Sequence, residues 1–266
     1  MRPIAHPDSL AAQDRNRPFL VRNGAPLRRY FDGRPTLPVL PVTLLQLDLL
    51  SAQRAPEPQT VRDVVLSDLG AVLQLFRTSA AAASHADRDA NRVLGLVARF
   101  GPRKLRLELA SKDRPFASRT DLAIAALWQR ARLTAEIARL LSLRFSDIDP
   151  GQAYLSGLMH EVGRVPSVVS WPAEGMDLSD VAAIGRQLVH EWRLPSFVAP
   201  TLLFAAGAMQ TQSPLQRVVS AAYDLANAVT HGLPVPRRTL RAPCTCEASD
   251  GAVRAASHEL RPIRIQ

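Results

Sequence analysis

His160 and Glu161 are adjacent residues whose side chains could do chemistry together. An imidazole nitrogen and a carboxylate oxygen are both donors to divalent metal ions. The apolar residues around the pair fall at i, i+3, i+4 and i+7, which is one face of a helix. They are Leu155, Leu158, Met159 and Val162. We therefore predict that a buried helix carries the pair and ends at Gly163, because glycine commonly follows the last turn of a helix.

Two other groups of residues offer weaker chemistry. His190 and Glu191 form a second histidine–carboxylate pair, but they precede Trp192 on an amphipathic stretch, which favours a solvated helix face. Cys244 and Cys246 are the only cysteines. A zinc site needs about four ligands, and the sequence near the cysteines is poor in them. The nearest histidines are His231 and His258. We predict a reduced cysteine pair without a metal.

The sequence contains none of the common nucleotide-binding or hydrolase signatures. It has no Gly-x-x-x-x-Gly-Lys phosphate loop, no Gly-x-Gly-x-x-Gly fingerprint and no Gly-x-Ser-x-Gly elbow. Aromatic residues make up 5% of the chain and do not interleave with its basic flanks. We therefore predict that Trp128, Trp171 and Trp192 pack in the core rather than stack on nucleic-acid bases.

The basic charge of the chain is concentrated at its two ends. Residues 1–34 carry seven Arg against three Asp, and residues 237–266 carry six Arg against three acids. The flanks thus contribute +4 and +3 to the formal net charge of +9, and the middle is nearly neutral. Basic flanks beside a neutral domain predict solubilising or weakly anion-attracting tails, so nucleic acid is not a predicted partner.

Length and hydropathy favour a globular protein outside the membrane. A chain of 266 residues with 47% apolar residues can bury one large core or two modest ones. Its apolar runs are far shorter than the roughly 18 residues that a membrane span needs. The first residues lack the apolar core of a signal peptide. We therefore expect a soluble, cytoplasmic protein.

Helical periodicity recurs along the middle of the chain, which predicts an all-α fold of about ten helices. Pro41 suits a first helical turn, Thr60 and Asp63 resemble a capping box, and Asp149 precedes the central helix as a cap. Gly101 with the proline after it ends one helix and starts the next. The predicted helices cover residues 41–50, 60–66, 69–79, 90–100, 102–109, 120–141, 150–163, 179–192, 197–206 and 214–229.

Domain boundaries follow from where this periodicity begins and ends. We predict an irregular basic arm over residues 1–34, one domain over residues 35–232 and a Pro- and Arg-rich tail without regular structure over residues 233–266.

Seven short segments occur in an order that resembles a known family. They are Leu37–Pro41, Leu69–Ala80, Phe100–Leu105, Leu127–Trp128, Gly157–Gly163, Gly185 and Glu191–Pro195. This order is similar to that of the HDOD family, the HD-related output domain of bacterial signalling proteins, over roughly residues 35–230. The resemblance implies N-terminal helices packed on an HD-like helical bundle. It also implies a regulator or scaffold that is not catalytic.

The resemblance also identifies the positions of a metal site as hydrolytic HD proteins have it. The position of their first histidine is Arg130, and their His-Asp pair corresponds to His160 and Glu161. HDOD sequences often have a histidine where this chain has Val181. Because a guanidinium cannot ligate a cation and repels one, these positions imply a vestigial site. We predict that Arg130 and Glu161 form an ion pair in place of the metal.

The remaining positions of the HD site have also changed. A histidine pair of the family corresponds to Ala205 and Ala206. The last aspartate corresponds to Asp224, although the alignment of motifs places Tyr223 at that position. So few ligands would not hold a divalent ion, and we expect neither a metal nor another cofactor. We predict that His160 is a buried histidine hydrogen-bonded near Glu161 or to Arg130.

These observations give three hypotheses for function. The first is a non-enzymatic regulatory or scaffold protein of bacterial signal transduction whose partners are other signalling proteins. The second is a metal-dependent HD-type phosphohydrolase of nucleotides or cyclic dinucleotides. The third is a nucleic-acid-associated regulator that uses the Arg-rich flanks.

Overall fold

The computed structural model describes residues 37–82, 91–110, 119–169, 180–202 and 212–234. The regular structure in these ranges is helical, which confirms the predicted all-α class. The α-helices are α1 (Pro41–Ser51), α2 (Pro58–Leu66), α3 (Leu69–Ala82), α4 (Asn91–Leu109), α5 (Arg119–Ser142), α6 (Pro150–Met159), α7 (Val165–Val168), α8 (Val181–Glu191) and α9 (Pro214–His231). Two 3₁₀ turns cover Val162–Arg164 and Ala199–Thr201.

Helices α1 to α4 form an N-terminal unit in which α1, α2 and α3 all contact α4. Helix α1 begins at Pro41, whose fixed φ suits the first turn. Helix α4 is kinked at Gly101, which has a φ of 66° that other residues rarely adopt. Pro102 then starts the second half of α4. The predicted break is confirmed, and Leu105 and Leu109 of the second half are fully buried.

Asp68 joins the N-terminal unit to the rest of the protein. Its buried carboxylate accepts hydrogen bonds from the Leu40 amide (2.7 Å), the Ala71 amide (3.1 Å) and the Trp128 indole (2.9 Å). The first bond fixes the segment before α1, the second caps α3, and the third reaches α5. Burial raises the pKa of Asp68, and these hydrogen bonds act in the opposite direction. One carboxylate therefore ties three parts of the chain together.

The C-terminal bundle is built on α5, against which α6 and α9 pack. The Asp149 side chain caps α6 by accepting from the Gln152 amide, as predicted. Ser213 and Gln216 form a reciprocal capping box at the start of α9. The first half of α5 contributes to the large core shared with the N-terminal unit, and its second half contributes to a smaller core shared with α9.

The 3₁₀ turn after α6 lies very close to the start of α8. A Cβ atom placed on Gly163 would lie 2.0 Å from the carbonyl oxygen of Val181 and 3.0 Å from the amide nitrogen of Gly185. Only glycine permits this approach, because any side chain would meet backbone atoms. Gly163 therefore fixes where α8 sits on the bundle.

Three predictions about local structure were wrong. Helix α6 ends at Met159 rather than at Gly163, because the backbone of Glu161 (φ −102°, ψ 19°) leaves the helical region. Helix α2 begins at Pro58, so Thr60 and Asp63 lie inside it and make no capping box. The predicted helix over residues 197–206 is a 3₁₀ turn in its described part and gives way to extended backbone at Leu202.

The failure of that last helix has a local reason. Pro200 has no amide hydrogen and cannot donate to a carbonyl one turn earlier. The hydroxyl of Thr201 also donates to the Val198 carbonyl (2.8 Å), which favours the tighter turn.

Several predictions fall on residues outside the described ranges. Cys244, Cys246 and Trp171 are among them, as are the arm over residues 1–34 and nearly all of the tail. The domain boundaries therefore stay predictions. Among the described residues, no helix combines the length and the apolar character that crossing a bilayer requires.

Candidate functional site

Glu161 lies between two arginines at the end of α6. Its carboxylate accepts from Arg130 of α5 twice, with Nε to Oε2 at 2.5 Å and Nη2 to Oε1 at 3.0 Å. The predicted ion pair is thus present, with the two parallel bonds that guanidinium and carboxylate groups favour. Glu161 has 2% of its side chain exposed and Arg130 has 16%. The hydrogen bond to Glu161 raises the pKa of Arg130 despite its partial burial.

Arg164 is the second cation of the site. Its Nε atom lies 3.1 Å from Oε1 of Glu161 but is not aligned to donate a hydrogen bond. Its side chain is 37% exposed, so solvent weakens this ion pair. The directional bonds to Glu161 therefore come from Arg130. The two guanidinium groups leave this cluster with one excess positive charge.

His160 contacts a different part of the protein from the part that Glu161 contacts. Its Nδ1 atom is hydrogen-bonded to the backbone carbonyl of Thr201 in the second 3₁₀ turn. A carbonyl can only accept, so Nδ1 carries the hydrogen. Burial lowers the pKa of His160, and the bond to Thr201 opposes this shift. His160 is therefore a buried histidine, as predicted, but its hydrogen-bond partner is Thr201 rather than Arg130 or the surroundings of Glu161.

Helix α9 contributes Tyr223 to the site. The rings of His160 and Tyr223 meet edge to face, with centroids 5.0 Å apart. Asp224, the next residue, is exposed. Adjacent helix positions point in different directions, so the residue that faces His160 is the tyrosine. The position proposed for a last aspartate ligand thus brings a phenol ring to the site.

The other predicted positions contribute no ligand. Val181 is the first residue of α8, and its carbonyl oxygen lies against Gly163. Ala205 and Ala206 lie outside the described residues. The structure therefore brings together Arg130, His160 and Glu161.

This set of side chains does not fit a divalent metal. Both oxygens of Glu161 are bound to Arg130, whose positive charge would repel a cation. Nδ1 of His160 is hydrogen-bonded to Thr201, which leaves Nε2 as the one nitrogen of this ring that could ligate a metal. In the described part of the chain, no three His, Cys, Asp or Glu side chains are grouped as metal ligands would be. The guanidinium of Arg130 joins α5 to the end of α6 through Glu161.

Some functional neighbours were missed by reasoning from the sequence. Arg164 lies three residues after Glu161, a spacing at which helical side chains are neighbours, and this signal was available. The contact of Thr201 with His160 spans 41 residues and involves a backbone atom. No local pattern marks such a contact.

The remaining candidates from the sequence have structural roles in the described chain. His190 is exposed on α8, as predicted for a solvated face. Trp128 and Trp192 are buried, as predicted for core residues. These findings leave the cluster around Glu161 as the candidate site.

Comparison with solved structures identifies similar folds. A structure of the MmoQ response regulator from Methylococcus capsulatus str. Bath has a TM-score of 0.63 and 18% identity, and covers 84% of this chain and 98% of that chain. A fragment of the same regulator has a TM-score of 0.58 and 19% identity, and covers 81% of this chain and 92% of that one. At these identities the likeness shows the fold alone.

Comparison of the sequence with known proteins and families gives two results. No curated protein matches the chain. The family described as the HDOD domain matches residues 37–180, which is more than half of the chain. That match begins at the first described residue, ends at the cap of α8 and contains the whole Arg130–Glu161 cluster. We conclude that this chain belongs to the HDOD domain family.

Proposed function

We propose that this protein is a non-catalytic regulatory module of bacterial signal transduction that acts by binding other proteins in the cytoplasm. One observation carries the proposal: the guanidinium of Arg130 is bound to the buried carboxylate of Glu161. The resemblance to hydrolytic HD proteins assigns both residues to metal-ligand positions. Membership of the HDOD domain family and the response regulators of similar fold support a role associated with signalling.

The chemistry of the cluster supports a role in holding the fold rather than in turnover. A hydrolase of this type needs a metal ion to polarise a phosphate and to lower the pKa of bound water. Here each carboxylate oxygen accepts a hydrogen bond from Arg130, and the histidine beside it donates Nδ1–H to a backbone carbonyl. Glu161 could approach a cation only beside the guanidinium of Arg130, which leaves Nε2 of His160 as a single ligand atom, too few to hold a divalent ion.

Metal content and hydrolytic activity test this proposal together. The purified full-length protein is analysed for metals and is assayed with manganese against bis(p-nitrophenyl) phosphate and a cyclic dinucleotide. We expect far less than one metal ion per chain and no turnover above a protein-free control. His190→Ala, which changes an exposed histidine on α8, is the matched control for His160→Ala.

The opposite result would identify an enzyme with an unusual ligand set. It consists of nearly one metal per chain and of activity that is lost in His160→Ala but kept in His190→Ala. That result would reject the non-catalytic proposal and favour a metal-dependent phosphohydrolase.

A further inference from the structure

Helix α1 is apolar on two opposite faces. Its buried face contains Leu47 and Leu50, which pack in the large core. A second set of apolar residues follows the spacing i, i+3 and i+7, and each of its side chains is more than half exposed. This set is Val42, Leu45 and Leu49. A second apolar face on a helix is usually covered as well, but no part of the chain that the structure describes covers the outer face of α1.

The neighbouring helix α4 extends this apolar surface. Leu107 of α4 is also more than half exposed. It lies beside an open cleft of about 480 Å³ between the two helices, which is lined by Asp48, Ser51, Arg103, Arg106 and Leu107. We call the three exposed apolar residues of α1, Leu107 and this cleft the α1–α4 face. Exposed apolar side chains on neighbouring helices, beside charged groups, are typical of a protein interaction site.

The charges of the α1–α4 face leave one cation unpaired. Nε of Arg106 lies 3.0 Å from Oδ1 of Asp48, which joins α4 to α1 across the cleft. Arg103, one turn before Arg106, is exposed and has no ion-pair partner among the described residues. The cleft therefore carries one excess positive charge. A ligand with a carboxylate next to its apolar groups complements this arrangement.

Charge also decides between the possible occupants of the α1–α4 face. Residues 1–34 and 237–266 of this chain carry +4 and +3, so they are repelled by Arg103 rather than attracted. A second copy of the chain has a formal net charge of +9 and presents the same basic cleft. Like charges facing each other across an interface disfavour both occupants. An acidic partner is attracted to Arg103 and brings no further positive charge to the cleft.

We propose that the α1–α4 face binds an acidic amphipathic helix of a partner protein, with apolar residues against α1 and Leu107 and a carboxylate against Arg103. In this mode of recognition, an apolar helix stripe read at i, i+3 or i+4, and i+7 packs on exposed apolar side chains such as those of α1. This inference rests on the proposed function, because it names the surface through which the module binds proteins. It places that surface on the N-terminal helices, away from Glu161.

Two labelled synthetic helices test the proposal. Each has about 18 residues and the same leucine stripe, but one has glutamates beside the stripe and the other has lysines. Fluorescence anisotropy at low salt follows their binding to the full-length protein. We expect the acidic helix to bind more tightly than the basic one, and Arg103→Glu to reverse this preference. Leu45→Ser is expected to weaken binding about tenfold, whereas Leu143→Ser, an exposed leucine after α5, leaves binding unchanged.

Several results would overturn the proposal. No binding of the acidic helix, or equal binding of both helices, removes the basis for an acidic partner. A dimer that forms with rising protein concentration and is lost in Leu45→Ser assigns the face to a second copy. Flotation with phosphatidylserine vesicles that depends on Leu45, without binding of the acidic helix, assigns it to a membrane surface. None of these results changes metal content or hydrolysis, so the non-catalytic proposal is tested separately.

Discussion

Glu161 is almost completely buried, yet it remains bound by two charged groups. Burying a carboxylate is costly unless hydrogen bonds and a counter-charge compensate for the lost water. Arg130 provides both, with two aligned bonds from a neighbouring helix. Arg164 provides charge without an aligned bond and is more exposed. The two arginines therefore have unequal roles, and substitutions distinguish them.

Replacement of Arg130 by alanine is expected to destabilise the protein by about 3 kcal/mol, because it leaves a buried carboxylate without its main partner. Arg164→Ala is the matched control and should cost less than about 1 kcal/mol, since this pair is partly exposed. Urea unfolding followed by circular dichroism measures both. A double variant, Arg130→Met with Glu161→Leu, should recover most of the loss. If Arg130→Ala and Arg164→Ala lowered the free energy of unfolding by the same amount, the two arginines would not have unequal roles.

His160 predicts how stability depends on pH. Burial lowers its pKa in the folded protein below the ordinary value of 6.5, so the unfolded chain takes up this proton first as the pH falls. Protonation of the unfolded chain then favours unfolding, and stability decreases below about pH 6.5 by up to about 1.4 kcal/mol per pH unit. Above that pH the contribution is constant. The groups facing the ring include Glu161, Arg164 and Tyr223.

The variant His160→Asn isolates this effect. Its amide can still donate to the Thr201 carbonyl but does not titrate. The free energy of unfolding, measured between about pH 5 and about pH 7.5, should have a smaller slope in the variant than in the wild type. The slope rather than the absolute stability is the readout. Equal slopes would show that His160 keeps its ordinary pKa.

Gly163 sets the position of a whole element, because the 3₁₀ turn approaches the first residue of α8 at backbone distance. Gly163→Ala places a methyl group against the Val181 carbonyl, so α8 must move or the turn must open. We expect a loss of about 3 kcal/mol, as for severe overpacking. Gly95 of α4 is the control, since nothing lies within 4 Å of an added Cβ there.

The control substitution Gly95→Ala should stabilise the protein by roughly 0.5 to 1 kcal/mol, as alanine does at an open helical position. Thermal unfolding of both variants gives the comparison. If Gly163→Ala were as stable as the wild type, the approach of the turn to α8 would not constrain the fold.

The elements that could be predicted from the sequence are those with local signals. Pro41, the Gly101–Pro102 pair and Asp149 mark helix boundaries through their own backbone or side-chain geometry, and the structure confirms all three. The end of α6 could not be predicted in this way, because it depends on contacts with α5 and α8. At the site, Arg130 and Glu161 were paired correctly through the order of motifs. The Thr201 contact was missed because a backbone carbonyl distant in sequence has no signature.

At the scale of the whole molecule, charge and packing are separated along the chain. Among the described residues, the two cores extend from Leu37 to Ala226, whereas +7 of the formal net charge of +9 lies in the two flanks. Removal of the flanks therefore tests what their charge does.

A chain trimmed to residues 35–232 has a net charge of +2 and should unfold at nearly the same temperature as the full chain. It should also lose non-specific binding to duplex DNA at low salt. In the full chain this binding should fall steeply between about 50 mM and about 200 mM salt, because it depends on counterion release. Electrophoretic mobility shifts measure it. Sequence-dependent binding that survives the higher salt would instead favour a nucleic-acid-associated regulator.

The two halves of α5 belong to different cores, and this division has a consequence for how the protein opens. In the smaller core, α9 packs against the second half of α5 and Ala153 of α6. Among the described residues, the larger core contains none from α9. Partial unfolding of a protein often follows the boundary between two cores. We therefore expect α9 to detach while the larger core stays folded. Amide hydrogens of α9 would then exchange with solvent earlier than those of α3. Because Tyr223 leaves with α9, each such opening also uncovers His160.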